Sequence, residues 1–289
     1  MASWQAHLFT TLYKLTLKPK LKGTRDAAKA RRLLVTRPFA LPAGVRLTPG
    51  EVGSISGEWA ETDTNPRGLL LFIHGGGFIA CSSVTHRPTT SYLAKLGFRV
   101  FTPDYRLAPE NPFPAAIHDL IQVFLAMTGE PPIPVCIAGE SAGGALCVSL
   151  MLALRDAARP MPKAAALFSP WTDLACTGDS IRSNEKKCAM FYADDLIYCA
   201  QMYLGDTPAD DPLASSHYAN LAKLPPLLIH VASDETLRDD SIRLAEHARR
   251  DGVKVELKIW PVVPHGWQLL APRLPEARQS LQEAAEFLT

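Results

Sequence analysis

From residue 69 onward, short apolar runs alternate with longer segments of helical period, and that rhythm limits what the chain can fold into more than any other feature. The runs cover residues 69–73, 99–102, 135–138, 164–168, 227–231 and 253–259. Helical patterns over 85–96, 115–127, 142–158, 237–250 and 275–288 lie between and after them. Runs this apolar suit strands buried on both faces, and strands joined through helices can lie parallel. The expectation is therefore the α/β class, with a mostly parallel, doubly wound sheet covered by helices on both faces. Residues 45–59 add two short strands, with Pro49-Gly50 as the turn between them, for eight in all.

Two segments break the rhythm. Trp4, Leu8, Leu12 and Leu15 recur at the spacing of one helix face, which predicts an amphipathic helix. Its apolar stripe must cover something: a cleft mouth, a partner subunit or a membrane surface, with cover inside the molecule as the expectation. The Pro-rich, basic stretch 18–42 reads as a connection with one more short helix. Residues 177–220 carry a helical pattern through Phe191, Leu196, Cys199, Met202 and Tyr203 with no strand of their own. The division expected is N-terminal cap helices over 1–44, a core over 45–176, a cap insertion over 177–220 and the rest of the core over 221–289.

Composition removes several function classes. With 47% hydrophobic and 20% charged residues the chain can bury a large core. Thirty Lys and Arg against 29 Asp and Glu leave no global field for nucleic acid. No apolar run reaches the ~18 residues of a membrane span, so no integral membrane segment is expected. The first 17 residues lack the basic start and unbroken apolar run of a signal peptide. The six cysteines show no metal or disulfide spacing, which suits free thiols and a cytoplasmic setting.

The sharpest motif is Gly139-Glu140-Ser141-Ala142-Gly143, after the run 135–138 and before a helix rich in small residues. A strand, G-x-S-x-G and a helix in that order form a tight turn that holds a serine hydroxyl clear of the backbone. Glycines two before and two after the serine let strand and helix approach. A lone motif of this kind can be a chance small-residue loop; its placement after a strand argues for a nucleophile. His74-Gly75-Gly76-Gly77 follows the run 69–73, and glycines there let backbone N–H groups turn toward one point, as a tetrahedral oxyanion requires. The donors expected are Gly75, Gly76 and Ala142. A merely flexible turn and a phosphate cradle are the rivals; against the cradle, no Lys-Ser/Thr follows and the spacing is not G-x-G-x-x-G. His74 reads as a residue that orients this loop.

A nucleophilic serine needs a neutral base, and the base needs a carboxylate to orient it. His265 lies just past the run 253–259 and is the last histidine of the chain. His230 reads as a packed strand residue, while His86, His118, His217 and His247 read as surface or structural. Asp234 follows the run 227–231 and is the expected acid. Glu235, Asp239 and Asp240 are its rivals, the last two reading as helix-capping or solvent-facing. Phe191, Tyr192, Met202 and Tyr203, with Phe78 beside the glycines, are candidates for an apolar substrate pocket or for plain cap packing.

These motifs, with Tyr105-Arg106-Leu107-Ala108-Pro109-Glu110, Ser169-Pro170-Trp171-Thr172-Asp173-Leu174 and Asp211-Pro212-Leu213-Ala214-Ser215, carry a resemblance across nearly the whole chain. The sequence resembles the hormone-sensitive-lipase-like carboxylesterases of the α/β-hydrolase superfamily. The resemblance implies an α/β-hydrolase fold with a helical cap, and Ser141, Asp234 and His265 as triad. It also implies a glycine oxyanion loop, small-molecule short-acyl or aryl ester substrates, no cofactor or metal, and members that are often homodimers. The sequence departs from the usual pattern at Glu140, where Asp or Thr is more familiar, in Glu235-Thr236 after Asp234, and at Ser216. Two other readings on the same scaffold, a non-catalytic receptor and a lyase, are disfavoured by the presence of Ser141, Asp234 and His265 together.

Overall fold

A computed structural model describes residues 2–23, 25–35, 39–64, 66–129 and 134–289. Part of the 18–42 connection, residues 24 and 36–38, lies outside them. Its elements in chain order begin with α1 (Trp4–Thr16), α2 (Lys18–Leu21) and α3 (Ala27–Leu33), then β1 (Val45–Val52), β2 (Ile55–Thr62) and β3 (Gly68–Ile73). There follow α4 (Ser83–Lys95), β4 (Phe98–Pro103), α5 (Ala115–Thr128), β5 (Val135–Glu140), α6 (Ala142–Asp156) and β6 (Ala165–Phe168). After α7 (Ser180–Ser183) and α8 (Ala193–Leu204) the chain returns to β7 (Leu227–Ala232), α9 (Arg238–Arg250), β8 (Val255–Trp260) and α10 (Pro275–Phe287).

The eight strands form one sheet in the order β1-β2-β4-β3-β5-β6-β7-β8. The pairs β1/β2 and β2/β4 are antiparallel, and every pair from β4/β3 to β7/β8 is parallel. The period-two alternation of the strands sorts their side chains into two cores. Leu71, Ile73, Ile137, Leu167 and Ile229 point into the core shared with α5, α6 and α9. Leu70, Phe72, Ala138, Phe168 and Leu228 point into the core shared with α4 and α10.

Two expectations need correction. Pro49-Gly50 is not a turn but lies inside β1, opposite Glu58 and Gly57. β1 is the edge of the sheet, where a proline's missing N–H costs no ladder bond. The reversal falls at Gly53-Ser54, both at positive φ (60° and 64°), as a two-residue hairpin demands. The stripe read from Trp4, Leu8, Leu12 and Leu15 covers nothing among the described residues, for all four side chains are exposed. The packed face of α1 is the opposite one, where buried Ala6 and partly buried Ala2 and Phe9 meet the α4/α10 core. Ser3 fixes that orientation: its N–H donates to Glu276 Oε1 (2.6 Å) and its hydroxyl to Oε2 (2.9 Å).

Between β6 and β7 the insertion contributes α7 and α8, and the N-terminal segment is tied to it. Lys18 Nζ donates to the carbonyls of Glu185 and Cys188, and Gly23 N–H donates to Asp195 Oδ1 at 2.7 Å.

Candidate active site

In an open sheet of this kind the loops at the carboxyl ends of the parallel strands line a crevice, and the candidate residues leave from there: the glycine loop after β3, Ser141 after β5, the acidic loop after β7 and His265 after β8. Ser141 sits at φ 56°, ψ −122°, a left-handed conformation rare for a residue with a side chain. The turn is held from both sides, by Ser141 N–H donating to Phe168 O (2.8 Å) and Trp171 N–H donating to Ser141 O (3.2 Å). A Cβ on Gly139 would lie 2.4 Å from Gly143 O, and one on Gly143 would lie 2.1 Å from Ile73 O. Strand and helix could not come together with any larger residue at either position.

His265 is buried between two carboxylates. Its Nδ1 is 2.5 Å from Glu235 Oε2, and its Nε2 is 3.0 Å from Glu140 Oε1, although that second contact lacks hydrogen-bond alignment. Burial works against a charged imidazole here, but Glu235 and then Glu140 outweigh it and push the His265 pKa well above its ordinary value. Glu140 is also buried, which alone would raise its pKa; the hydrogen bonds and charges of His265 and His86 bring it down to about 2.

The acid expected from the sequence is displaced by one residue. Glu235, not Asp234, meets His265, and the protein holds it firmly: Oε1 accepts from Ser169 Oγ (2.7 Å) and Ala232 N–H (3.0 Å) while Oε2 faces the imidazole. Asp234 is half-buried and its carboxylate has no hydrogen bond or ion pair among the described residues. The reason is the turn after β7, which directs one of two neighbouring carboxylates inward and the other outward. Asp239 and Asp240 neither cap α9 nor face solvent as expected. Asp240 is buried and accepts from Thr172 N–H and Asp173 N–H, both at 2.9 Å, while Asp239 accepts from Ser180 N–H at 2.8 Å.

The glycine loop is corrected in the same manner. Gly75 N–H is already engaged, donating to His86 Nε2 at 3.2 Å, so it is not a free oxyanion donor. The N–H groups of Gly76, Gly77 and Ala142 have no acceptor among the described residues. Gly76 and Gly77 adopt φ 112° and 62°, and a Cβ on Gly76 would stand 2.1 Å from Ala80 O. Gly75 is needed for another reason: its Cβ would lie 2.1 Å from Glu140 Oε2. His74 stacks on Tyr105 (4.2 Å between centroids, 14°), whose hydroxyl donates to His74 O, and burial takes the His74 pKa down to about 3. His74 therefore braces the loop as a neutral ring. His230 is likewise a buried strand residue, 2.9 Å from Ser280 Oγ, with a pKa lowered by burial to about 3. His86, read as surface or structural, is buried and faces Glu140 Oε2 at 3.3 Å.

The aromatic candidates divide. Phe191 sets its ring edge-on to His265 with centroids 5.0 Å apart, so it walls the site. Phe78 and Tyr203 stack on one another at 3.9 Å, both buried, and Phe78 also leans on Trp171. Met202 is partly buried against the same core. Tyr192 is engaged by the N-terminal segment, its ring under Lys18 and Lys22 at 4.4 and 5.4 Å. Cys199, singled out from the sequence as part of a helix pattern alone, stands beside the glycine loop, 3.4 Å from where a Gly77 Cβ would be.

Comparison with known proteins bears on the fold and the family. Residues 70–269 match the family described as alpha/beta hydrolase fold. The chain is similar to an acetyl-hydrolase of Streptomyces hygroscopicus (38% identity, covering all of this chain and 97% of that one) and to an esterase of Acinetobacter venetianus (33%, covering 99% and 96%). Among solved structures it superimposes on an esterase of the bacterial hormone-sensitive lipase family with a TM-score of 0.90 at 33% identity, covering 100% of this chain and 98% of that one. An esterase/lipase from an uncultured bacterium gives 0.93 at 33% identity, with 99% and 98% covered. The chain belongs to the α/β-hydrolase fold family, and within it to the hormone-sensitive-lipase-like esterases.

Proposed function

We propose that this protein hydrolyses short-acyl or aryl carboxylic esters through an acyl-enzyme on Ser141, with His265 as base and Glu235 as the carboxylate that orients it. The observation that carries the reading is the short contact from Glu235 to His265 Nδ1 at the strand edge that also presents Ser141 in a strained turn. Neutral His265 takes the hydroxyl proton at Nε2 as Ser141 Oγ attacks the ester carbonyl, and Glu235 stabilises the imidazolium that results. The free N–H groups of Gly76, Gly77 and Ala142 are the donors for the tetrahedral oxygen. Loss of one such donor typically costs about 2.7 to 4 kcal/mol. The imidazolium then protonates the leaving alcohol, and a water activated by His265 releases the acid and restores the serine. The N-terminal helices and the insertion over 177–220 act as a cap, with Phe191 beside the reacting centre limiting the length of acyl chain admitted.

The test is turnover of p-nitrophenyl esters over a range of acyl lengths by the wild type, Ser141→Ala, His265→Ala and Glu235→Gln, with folding followed by circular dichroism. Rapid hydrolysis of short chains, abolished in the folded serine and histidine variants, is the expected result. A folded wild type inert toward every ester would sink the proposal.

A further inference from the structure

The helix α1 is apolar on two sides, and the molecule uses one of them. Ala2, Ala6 and Phe9 pack inward, whereas Trp4 and Leu15 are 71% exposed, Leu8 52% and Leu12 43%. At 3.6 residues per turn these four side chains fall within an arc of about 80°. They form one continuous stripe along the outside of the helix, and no other part of the described chain covers it. Stripes of this kind on a protein surface mark a contact with something else. What it contacts is indicated by charge. Residues 1–32 hold Lys14, Lys18, Lys20, Lys22, Lys29, Arg25, Arg31 and Arg32 against Asp26 alone, although Lys and Arg number 30 against 29 Asp and Glu in the whole chain. Lys14, Lys20, Lys22, Arg25 and Lys29 are exposed and have no carboxylate partner among the described residues.

We propose that α1 lies flat on an anionic phospholipid bilayer, its Trp4-Leu8-Leu12-Leu15 stripe sunk at the acyl boundary and the exposed Lys14, Lys20 and Lys22 against the headgroups. A surface helix that combines an apolar stripe with flanking cations has the chemistry of interfacial binding. At 13 residues α1 is too short to cross the bilayer, and no helix among the described residues is long and apolar enough to do so. A second copy of the chain is a poorer occupant, because it would bring one cationic cluster against its duplicate. The cations that follow α1 reach the insertion: exposed Lys22 lies over Tyr192, the residue after the Phe191 that borders His265. Bound this way, the protein holds its site next to a lipid phase in which apolar esters accumulate.

The test is flotation of the full chain with vesicles of phosphatidylcholine alone and of phosphatidylcholine mixed with phosphatidylglycerol, at low and high salt. Leu8→Glu/Leu15→Glu and Lys14→Glu/Lys20→Glu are the comparison variants. All four positions are exposed, so both variants should keep the wild-type melt and the wild-type turnover of a water-soluble ester, whatever that turnover is; binding is thus read independently of catalysis. The expected result is recovery with the phosphatidylglycerol vesicles, weakened by salt and reduced about tenfold or more in each variant. Absence of binding to the anionic vesicles overturns the proposal. So does binding that the leucine changes leave intact, or a solution dimer that they dissociate.

Discussion

Glu235 is held against His265 from behind, its Oε1 accepting from Ser169 Oγ and Ala232 N–H while Oε2 meets Nδ1. Asp234 and Glu235 both follow β7 and both precede His265, and nothing in their spacing says which one the turn aims inward; the Ser169 hydroxyl and the Ala232 N–H decide it for Glu235. Glu235→Gln should therefore lower kcat by about 10⁴-fold, the scale of disarming an orienting carboxylate, while Asp234→Asn stays within about twofold. Steady-state kinetics on one short ester distinguishes the pair. Glu140 is the other residue whose importance the sequence understated, noted there as a departure and found here 3.0 Å from His265 Nε2. Burial lowers the pKa of His265, and Glu235 and Glu140 together more than reverse that. Neutral His265 is the working base, so activity rises as pH climbs through its pKa. Glu140→Gln removes one of the two anions, lowers that pKa and moves the acid limb of kcat/KM to lower pH. An acid limb that stays in place would show that Glu140 does not act on His265.

At the scale of elements, periodicity made the parallel strands and their helices legible because strands buried on both faces have little freedom in composition. Where geometry inside a loop or edge decides, the sequence was silent. A proline reads as a turn until the strand that holds it proves to be an edge, and three glycines in a row do not reveal that His86 occupies the first N–H. The same limit hid the junction between α9 and the loop after β6, where Asp240 in the first turn of the helix accepts the N–H groups of Thr172 and Asp173. Burial first, and then the charge of Asp173, raise the Asp240 pKa from its ordinary 3.8 to about 8. Between those values the unfolded chain has released a proton that the folded one keeps, so the group's contribution to stability is full below the lower value and is lost as pH rises toward the higher. The slope is about 1.4 kcal/mol per pH unit. Asp240→Asn has no proton to lose there, and denaturant titrations from pH 5 to 7 should find the wild type losing stability relative to the variant as pH increases. Parallel curves for the two proteins would refute the assignment.

Across the whole molecule, segments far apart in sequence are linked in series to the acidic loop. Lys18 from the N-terminal segment binds the carbonyls of Glu185 and Cys188, and Asn184, beside them in the insertion, donates to the carbonyls of Ser233 (3.1 Å) and Glu235 (3.0 Å). No pattern in the sequence announces this chain of contacts, because its acceptors are backbone carbonyls and carry no residue signature. Lys18 is buried, which lowers its pKa, yet its ammonium remains the donor that joins two turns of the insertion to the N-terminal helices. A hydrogen bond to a charged group contributes about 1.5 to 3 kcal/mol, and roughly 1.4 kcal/mol is a factor of ten in a local opening equilibrium. Lys18→Met keeps the aliphatic stem and removes the donor. Amide hydrogen exchange over residues 184–193 should then quicken roughly 10- to 100-fold, while the parallel strands of the sheet exchange as before. If the insertion is held instead by its own packing through Ala193, Leu196 and Ala200, exchange there will be unchanged, and the N-terminal segment is a passenger on the insertion, not its tether.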